Sequence, residues 1–293
     1  MIEPLVDAHC HLWIQPPEGA DGPRLVAESL AERELAAFRD VGGTAVIDCQ
    51  PGGCGRDGRV LARLAETTGI SIAPATGFHL ERYYDPSDSP YGADPDALAE
   101  RWGAELAGGL AEAPTLRARV VKSAWTGDGG DRERGLIAAA AEAARREGAA
   151  LVVHTERGAG AEDAAVLIAE TGLAPGRAQL SHVDKRPDPG LHLELARAGF
   201  VLGYDAFLRP RYRPLETTWP LLERLASEGL WAQITVGLDV VDPALWSVCG
   251  GEGLPAIGHS ILPELRARAG EREARALTGA NAIRLLDGAE VAV

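Results

Sequence analysis

The chain lacks the features expected of a nucleic-acid-binding, membrane or disulfide-stabilised protein. Its 29 Lys and Arg face 43 Asp and Glu, which gives a formal net charge of −14 at pH 7. A nucleic-acid backbone and an anionic membrane both require a basic surface, so neither is expected as a partner. No apolar run is long enough to span a bilayer. No basic stretch followed by an apolar segment marks a signal peptide.

Cysteine is also scarce. The four cysteines, Cys10, Cys49, Cys54 and Cys249, form no C-x-x-C pair. We therefore expect reduced thiols and a cytoplasmic location. With 46% hydrophobic residues, the chain can bury one large core. No change of composition marks a linker, so residues 1–293 are predicted to form a single domain.

Eight short apolar runs alternate with segments of helical spacing. The predicted strands are 5–11, 44–49, 70–77, 118–124, 150–154, 177–182, 200–204 and 233–239. The predicted helices are 25–39, 60–67, 97–110, 134–147, 161–171, 191–198, 215–228, 260–268 and 271–286. Apolar strands that alternate with helices indicate a parallel sheet buried on both faces. Eight such units predict an α/β fold of the (β/α)8 TIM-barrel type, with an open doubly wound sheet as the alternative.

Two histidines close the first predicted strand. His9 and His11 are one residue apart, so their side chains point to the same side of a strand and Cys10 points to the other. Two imidazoles at a strand end can chelate one metal ion. The alternative is a pair of hydrogen-bonded histidines without a metal.

Other polar residues recur at predicted strand ends. A TIM barrel gathers its chemistry at the carboxyl ends of its strands. Lys122 lies on strand four, and strands five, six and eight end in His154, His182 and Asp239. His79 follows strand three. Random placement would put most histidines on helices and loops, so this coincidence favours one shared site.

At these residues the chain resembles the phosphotriesterase-related family of the amidohydrolase superfamily, which includes the phosphotriesterase-like lactonases. That family has H-x-H on strand one, Lys on strand four, single His on strands five and six, and Asp on strand eight. The matching stretches are DAHCHLW, VVKSAW, LVVHTERG, LSHVDKRPD and ITVGLDVV. Single-metal hydrolases and decarboxylases share a DAHCHLW-like start but lack the strand-four lysine, so Lys122 separates the two groups.

The resemblance implies two divalent metal ions. His9, His11 and Asp239 would hold one ion, and His154 and His182 the other. Neutral imidazole and carboxylate suit zinc, with manganese, cobalt or iron as alternatives. The resemblance further implies that Lys122 is carboxylated on Nζ and bridges the ions. The alternatives are that Lys122 extends its ammonium group to solvent, that His154 and His182 are buried and hydrogen-bonded without a metal, and that Asp239 only orients a ligand.

In such a centre a metal-bridging hydroxide attacks the substrate, and Asp239 serves as general base and then acid. Asp7 and Asp184 are candidates to orient the imidazoles, with a solvated or capping role as the equal alternative. The remaining histidines receive plainer interpretations; His192, for example, is expected on a helix surface.

The loops suggest an anionic substrate. Arg209, Arg211 and Arg213 alternate in a proline-stiffened loop, where an extended backbone could place guanidinium groups on one side. The alternative is a solvated loop whose arginines pair with surface carboxylates. The other candidate contacts are His79, Arg82, Tyr84 and Tyr204.

These loops resemble those of the sugar-lactonase members, some of which take phosphorylated lactones. We therefore expect a metal-dependent hydrolase that opens a sugar-derived, anionic lactone. Phosphotriester or phosphoester hydrolysis by the same centre is the alternative within enzymes. A non-catalytic metal-binding barrel and a mononuclear deaminase or decarboxylase are further alternatives. The family also leads us to expect a homodimer.

Overall fold

Residues 4–288 are described by a computed structural model, in which eight parallel strands form one sheet in sequence order. The strands are β1 Val6–Cys10, β2 Ala45–Asp48, β3 Ser71–Gly77, β4 Val120–Trp125, β5 Ala150–Thr155, β6 Ala178–Ser181, β7 Val201–Tyr204 and β8 Ile234–Val236. All eight predicted strands are present, and the predicted (β/α)8 barrel is confirmed. The predicted domain also includes residues 1–3 and 289–293, which lie outside the described residues.

The last strand returns to the first. The backbone N–H groups of Leu238 and Asp239 donate to His9 O, at 3.3 and 2.8 Å. The Asp7 carboxylate accepts a further bond from Leu238 N at 3.3 Å. These bonds bring the two edges of the sheet together, and an open doubly wound sheet has no such contact.

Helices separate the strands. They are α1 Glu28–Asp40, α2 Gly58–Thr68, α3 Pro95–Gly108, α4 Asp131–Glu147, α5 Ala161–Glu170, α6 Pro189–Arg197, α7 Thr218–Ser227, α8 Leu262–Ala269, α9 Glu271–Arg275 and α10 Asn281–Asp287. The first helix begins three residues later than predicted, because Leu25 pairs with Ile14 in an antiparallel bridge. A π-helical turn, Ala276–Ala280, divides the predicted helix 271–286 into α9 and α10.

Strand alternation decides which side chains reach the interior of the barrel. On β4 and β5, Val121 and Val153 join the large core cluster with the helices. Val120 and Val152 belong to a separate, smaller cluster. A strand has a period of two, so Lys122 shares a face with Val120, and His154 shares one with Val152. The barrel therefore directs both polar side chains inward.

None of the helices within residues 4–288 is long and apolar enough to cross a bilayer.

Candidate metal centre

The six predicted ligands converge at the carboxyl ends of the strands. Lys122 and His154 lie within β4 and β5, and His9 lies within β1. His182 and Asp239 follow β6 and β8 with positive φ angles of 69° and 50°. Such angles are uncommon outside glycine, so the chain turns sharply at both residues. These turns place both side chains in the cavity beside His9.

Three of the six residues form a compact group. One ligand atom each from His9, His182 and Asp239 can be chosen so that all lie within 4.8 Å of one another. His9 Nε2 lies 3.9 Å from Asp239 Oδ1 and 3.3 Å from Lys122 Nζ. The imidazole of His154 is centred 4.7 Å from that of His182. The compact group combines residues that the sequence assigned to two different ions, because Asp239 lies between His9 and His182.

A hydrogen-bond chain fixes the tautomer of His11. Gln50 Nε2 donates to Cys54 O at 2.6 Å, so Gln50 Oε1 is left to accept from His11 Nδ1 at 2.9 Å. With its proton on Nδ1, His11 keeps the Nε2 lone pair for a ligand. Burial lowers the pKa of His11 to about 4, so the ring is neutral at pH 7, as metal binding requires.

Asp205 and Lys185 also belong to the site, although sequence reasoning did not single them out. Asp205 Oδ2 lies 2.6 Å from His182 Nδ1. Lys185 Nζ lies 3.0 Å from Asp205 Oδ1 and 3.2 Å from Asp239 Oδ2. Burial disfavours charge on Asp239, but Lys185, together with His182, His9 and Arg209, outweighs burial and holds the pKa of Asp239 well below its ordinary value. The same carboxylates raise the pKa of Lys185 against the effect of burial.

Of the two roles considered for Asp7 and Asp184, the structure does not show imidazole orientation for either residue. Asp7 accepts from the backbone N–H of His9 at 2.8 Å. Asp184 accepts from the backbone N–H groups of Asp205 and Ala206, at 3.2 and 2.9 Å. Both carboxylates therefore hold the backbone around the ligands, whereas the imidazole rings of His11 and His182 contact Gln50 and Asp205.

His79 presents a neutral ring to the site. Leu80 N donates to His79 Nδ1 at 2.7 Å, so the ring proton must lie on Nε2. The ring is centred 4.8 Å from that of His154. Burial lowers the pKa of His79 well below its ordinary value, so the ring is a neutral donor at pH 7.

A cavity of about 300 Å³ opens above these residues. Four cationic side chains line it together with the candidate ligands: Arg82, Arg157, Lys185 and Arg211. Arg157 is exposed, has a positive φ of 56°, and has no hydrogen-bond or ion-pair partner within residues 4–288. In an acidic protein, this concentration of cations favours an anionic ligand.

The arginine loop is not extended as expected. Pro210–Tyr212 form a 3-10 turn, and Arg213 has a positive φ of 48°. Proline fixes the backbone angle that begins this turn, so the three arginines point in different directions. Arg211 lines the cavity. Arg209 donates to the backbone oxygen of Asp239, and Arg213 pairs with Glu216 at 2.7 Å.

Tyr84 and Tyr204, like Arg209 and Arg213, are predicted substrate contacts that lie outside the cavity lining. Tyr84 is buried, and its hydroxyl accepts from His79 N at 2.9 Å. Tyr204 is buried with its hydroxyl 2.6 Å from His192 Nδ1. His192 is therefore internal and not on the surface as expected, because α6 directs its ring towards β7. Both tyrosines support the residues around the cavity.

The chain is similar in sequence to one protein family and to relatives named as hydrolases. The sequence profile of the Phosphotriesterase family matches residues 19–277. A phospho-furanose lactonase of Mycoplasmopsis synoviae (strain 53) is 28% identical over 222 residues, covering 71% of this chain and 63% of that protein. The chain thus spans less than two thirds of that relative. An N-acetyltaurine hydrolase of Tetraodon nigroviridis is 28% identical over 261 residues, covering 83% of this chain and 73% of that protein.

Solved structures share the whole fold. The crystal structure of a lactonase from Listeria monocytogenes has a TM-score of 0.91 at 22% identity and covers 99% of this chain and 96% of its own. A second structure has a TM-score of 0.82 at 25% identity. Its description is the molecular engineering of organophosphate hydrolysis activity from a weak promiscuous lactonase template. It covers 97% of this chain and 95% of its own.

Proposed function

The chain belongs to the phosphotriesterase family, and from that membership we propose that it hydrolyses a sugar-derived lactone that carries an anionic group. One observation carries the proposal. Candidate ligands at the ends of β1, β5, β6 and β8 line a cavity together with four cationic side chains, and Lys122 on β4 contacts His9. The relatives named phospho-furanose lactonase support the same substrate class.

The family uses a binuclear metal centre, and the residues present fit one. Imidazoles that are neutral at pH 7 and an ionised, half-buried Asp239 are the donors that zinc prefers. We assign His9, His11 and Asp239 to one zinc ion and His154 and His182 to the other, with manganese, cobalt or iron as alternatives. Such ions supply Lewis acidity and make water nucleophilic near neutral pH.

Lys122 is the natural candidate for carboxylation. Its side chain is fully buried, and within the described chain its Nζ has no carboxylate partner, only His9 Nε2 at 3.3 Å. An ammonium ion so placed would be costly. A neutral amine can add carbon dioxide, forming an N–C bond and releasing a proton, and the product is a carboxylate that can bridge cations. Intact-mass measurement under native conditions tests for the added carbon dioxide.

The chain's own groups account for proton transfer and substrate placement. The Asp239 carboxylate accepts the proton of the attacking water and returns it to the leaving oxygen. Lys185, 3.2 Å away, is the nearest of the charged groups that together lower the pKa of this carboxylate. We assign His79 Nε2–H as a donor to a substrate oxygen and Arg82, Arg157 and Arg211 as the groups that bind its anionic part, because all four residues line the cavity.

Phosphotriester or phosphoester hydrolysis is the second candidate. The family name and the engineered organophosphate hydrolase at 25% identity favour it. Other relatives are named N-acetyltaurine hydrolase, so N-acetyltaurine, which is an anionic amide, should be tested as a substrate as well.

The test is a substrate panel on zinc-loaded protein. Hydrolysis of the lactones and the triester is followed by proton release, and hydrolysis of N-acetyltaurine by chromatography of the free amine. The panel contains neutral and phosphorylated γ- and δ-lactones, N-acetyltaurine and a paraoxon-type triester. We expect phosphorylated lactones to be preferred and Asp239→Asn to abolish turnover in a folded protein. Failure on every lactone would contradict the substrate assignment. Two zinc ions per chain without any hydrolysis would favour a non-catalytic barrel, and one ion per chain would favour a mononuclear enzyme.

A homodimer is an expectation from the family alone, and light scattering during size-exclusion chromatography tests it.

A further inference from the structure

Glu156 lies in the turn directly after β5, two residues beyond His154. Its Oε1 atom is 3.3 Å from His154 Nε2. A neutral imidazole carries one N–H, so an acceptor at Nε2 places the proton there and leaves the lone pair on Nδ1. His154 Nδ1 has no hydrogen-bond partner within residues 4–288. Nδ1 is therefore the nitrogen of His154 that remains available to a ligand.

We propose that Glu156 is a positioning residue that fixes the tautomer and ring orientation of His154 for metal binding through Nδ1. The inference rests on the proposed binuclear centre. Gln50 accepts from the His11 ring, and Asp205 contacts the His182 ring, in each case on the side away from the proposed ion. Glu156 would have the same role for His154. Such acceptors typically contribute 10- to 100-fold to metal affinity.

The loop after β3 holds Glu156 from the other side. Arg82 Nη2 lies 3.5 Å from Glu156 Oε1 and donates to the Tyr83 hydroxyl at 3.0 Å. The Arg82 guanidinium also covers the Tyr83 ring, at 4.8 Å from its centre. Tyr83 in turn packs edge-on against His79, whose ring adjoins His154. These contacts favour the carboxylate position that faces His154.

The variants separate a hydrogen-bond role from a charge role. Glu156→Ala removes the acceptor, whereas Glu156→Gln keeps an amide oxygen that can still accept from Nε2–H. Glu162→Gln is the matched control, because Glu162 is a carboxylate on α5 that pairs with Arg186 at 3.0 Å and does not line the cavity. Arg82→Ala tests the outer contact, which is half exposed and should contribute less.

The measurement is zinc(II) affinity and stoichiometry in competition with a chromophoric chelator. We expect Glu156→Ala to weaken one of two zinc sites by about 10- to 100-fold. Glu156→Gln should lose less than about tenfold and Arg82→Ala less than about fivefold. Glu162→Gln should match the wild type. With cobalt(II) in place of zinc, the visible absorption spectrum should change in Glu156→Ala and stay unchanged in Glu162→Gln.

Thermal unfolding of each metal-free variant confirms that it is folded, which is expected because the Glu156 side chain is 39% exposed. Wild-type zinc affinity and an unchanged cobalt spectrum in Glu156→Ala would overturn this proposal and leave the proposed hydrolase standing. An equal loss in Glu156→Gln and Glu156→Ala would also overturn it, because charge and not tautomer would then be responsible. A wild-type protein that binds no zinc would contradict the metal centre itself.

Discussion

Replacing Arg56 with methionine should destabilise the barrel strongly at neutral pH. The Arg56 side chain is 1% exposed and lies between two glutamates. Its guanidinium contacts Glu105 at 2.7 and 2.9 Å, contacts Glu112 at 2.7 and 3.0 Å, and donates to Ala75 O at 2.7 Å. Methionine fills much of the volume but leaves two carboxylates and one carbonyl without their donor.

Removing one partner of a buried ion pair typically costs about 3–5 kcal/mol. The Glu112 side chain is 26% exposed and can regain water, so we expect the lower end, about 3 kcal/mol. In urea unfolding followed by circular dichroism, an m-value of about 3 kcal/mol/M converts this loss to a midpoint shift of about 1 M. Arg63→Met is the control, because Arg63 makes a bidentate pair with Glu28 at the surface and should leave the midpoint unchanged.

The loss of unfolding free energy caused by Arg56→Met should also depend on pH. Burial opposes ionisation of Glu105 and Glu112, yet Arg56 holds the pKa of both below the ordinary value. A lowered carboxyl pKa stabilises the folded state above the unfolded pKa, and this contribution is lost as pH falls. The difference between wild type and Arg56→Met should therefore be largest at pH 7 and shrink below about pH 4.5. A deficit under 1 kcal/mol at pH 7, or one that grows on acidification, would refute the reasoning.

Three further measurements test other parts of the structure. Lys185→Met should lower the unfolding free energy of metal-free protein by about 3 kcal/mol, since it removes the ammonium group that pairs with Asp205 and Asp239; added zinc should reduce this deficit, and an equal deficit with zinc would contradict it. Gln50→Leu should weaken zinc binding at least tenfold in a chelator competition, because His11 loses the acceptor that fixes its tautomer; unchanged affinity would refute that tautomer. Burial lowers the pKa of His192 to about 4, so on acidification this imidazole is protonated in the unfolded chain before it is protonated in the folded one. The free energy of unfolding should therefore decrease as the pH falls from about 6.5 to about 4. Replacing His192 with phenylalanine should flatten that slope, and an identical slope would argue against its burial.

The sequence was sufficient for the barrel and for the convergence of the candidate ligands. Strand-end residues such as Lys122 and His154 are predictable because parallel strands bring their carboxyl ends to one edge, whatever the lengths of the helices between them. Periodicity alone then places these side chains on the interior face.

The partners of the ligands were not predictable in the same way. Glu156, Lys185 and Asp205 act from turns, where no periodicity relates sequence position to direction. The contacts of Lys185 and Asp205 also depend on the positive φ angles at His182 and Asp239, which the sequence alone does not predict. The alternating arginines were misread for the same reason, since Pro210 begins a turn where an extended segment was assumed.

The hydrogen bonds that join β8 to β1 have a consequence for biosynthesis. Leu238 and Asp7 are 231 positions apart, and Asp239 bonds to the backbone of His9. His9 and His11 are therefore synthesised long before Asp239, which can join them only after strands β2 to β8 have been made. Contacts of such long range form late in folding, so any ion captured earlier by His9 and His11 would be held by an incomplete set of donors.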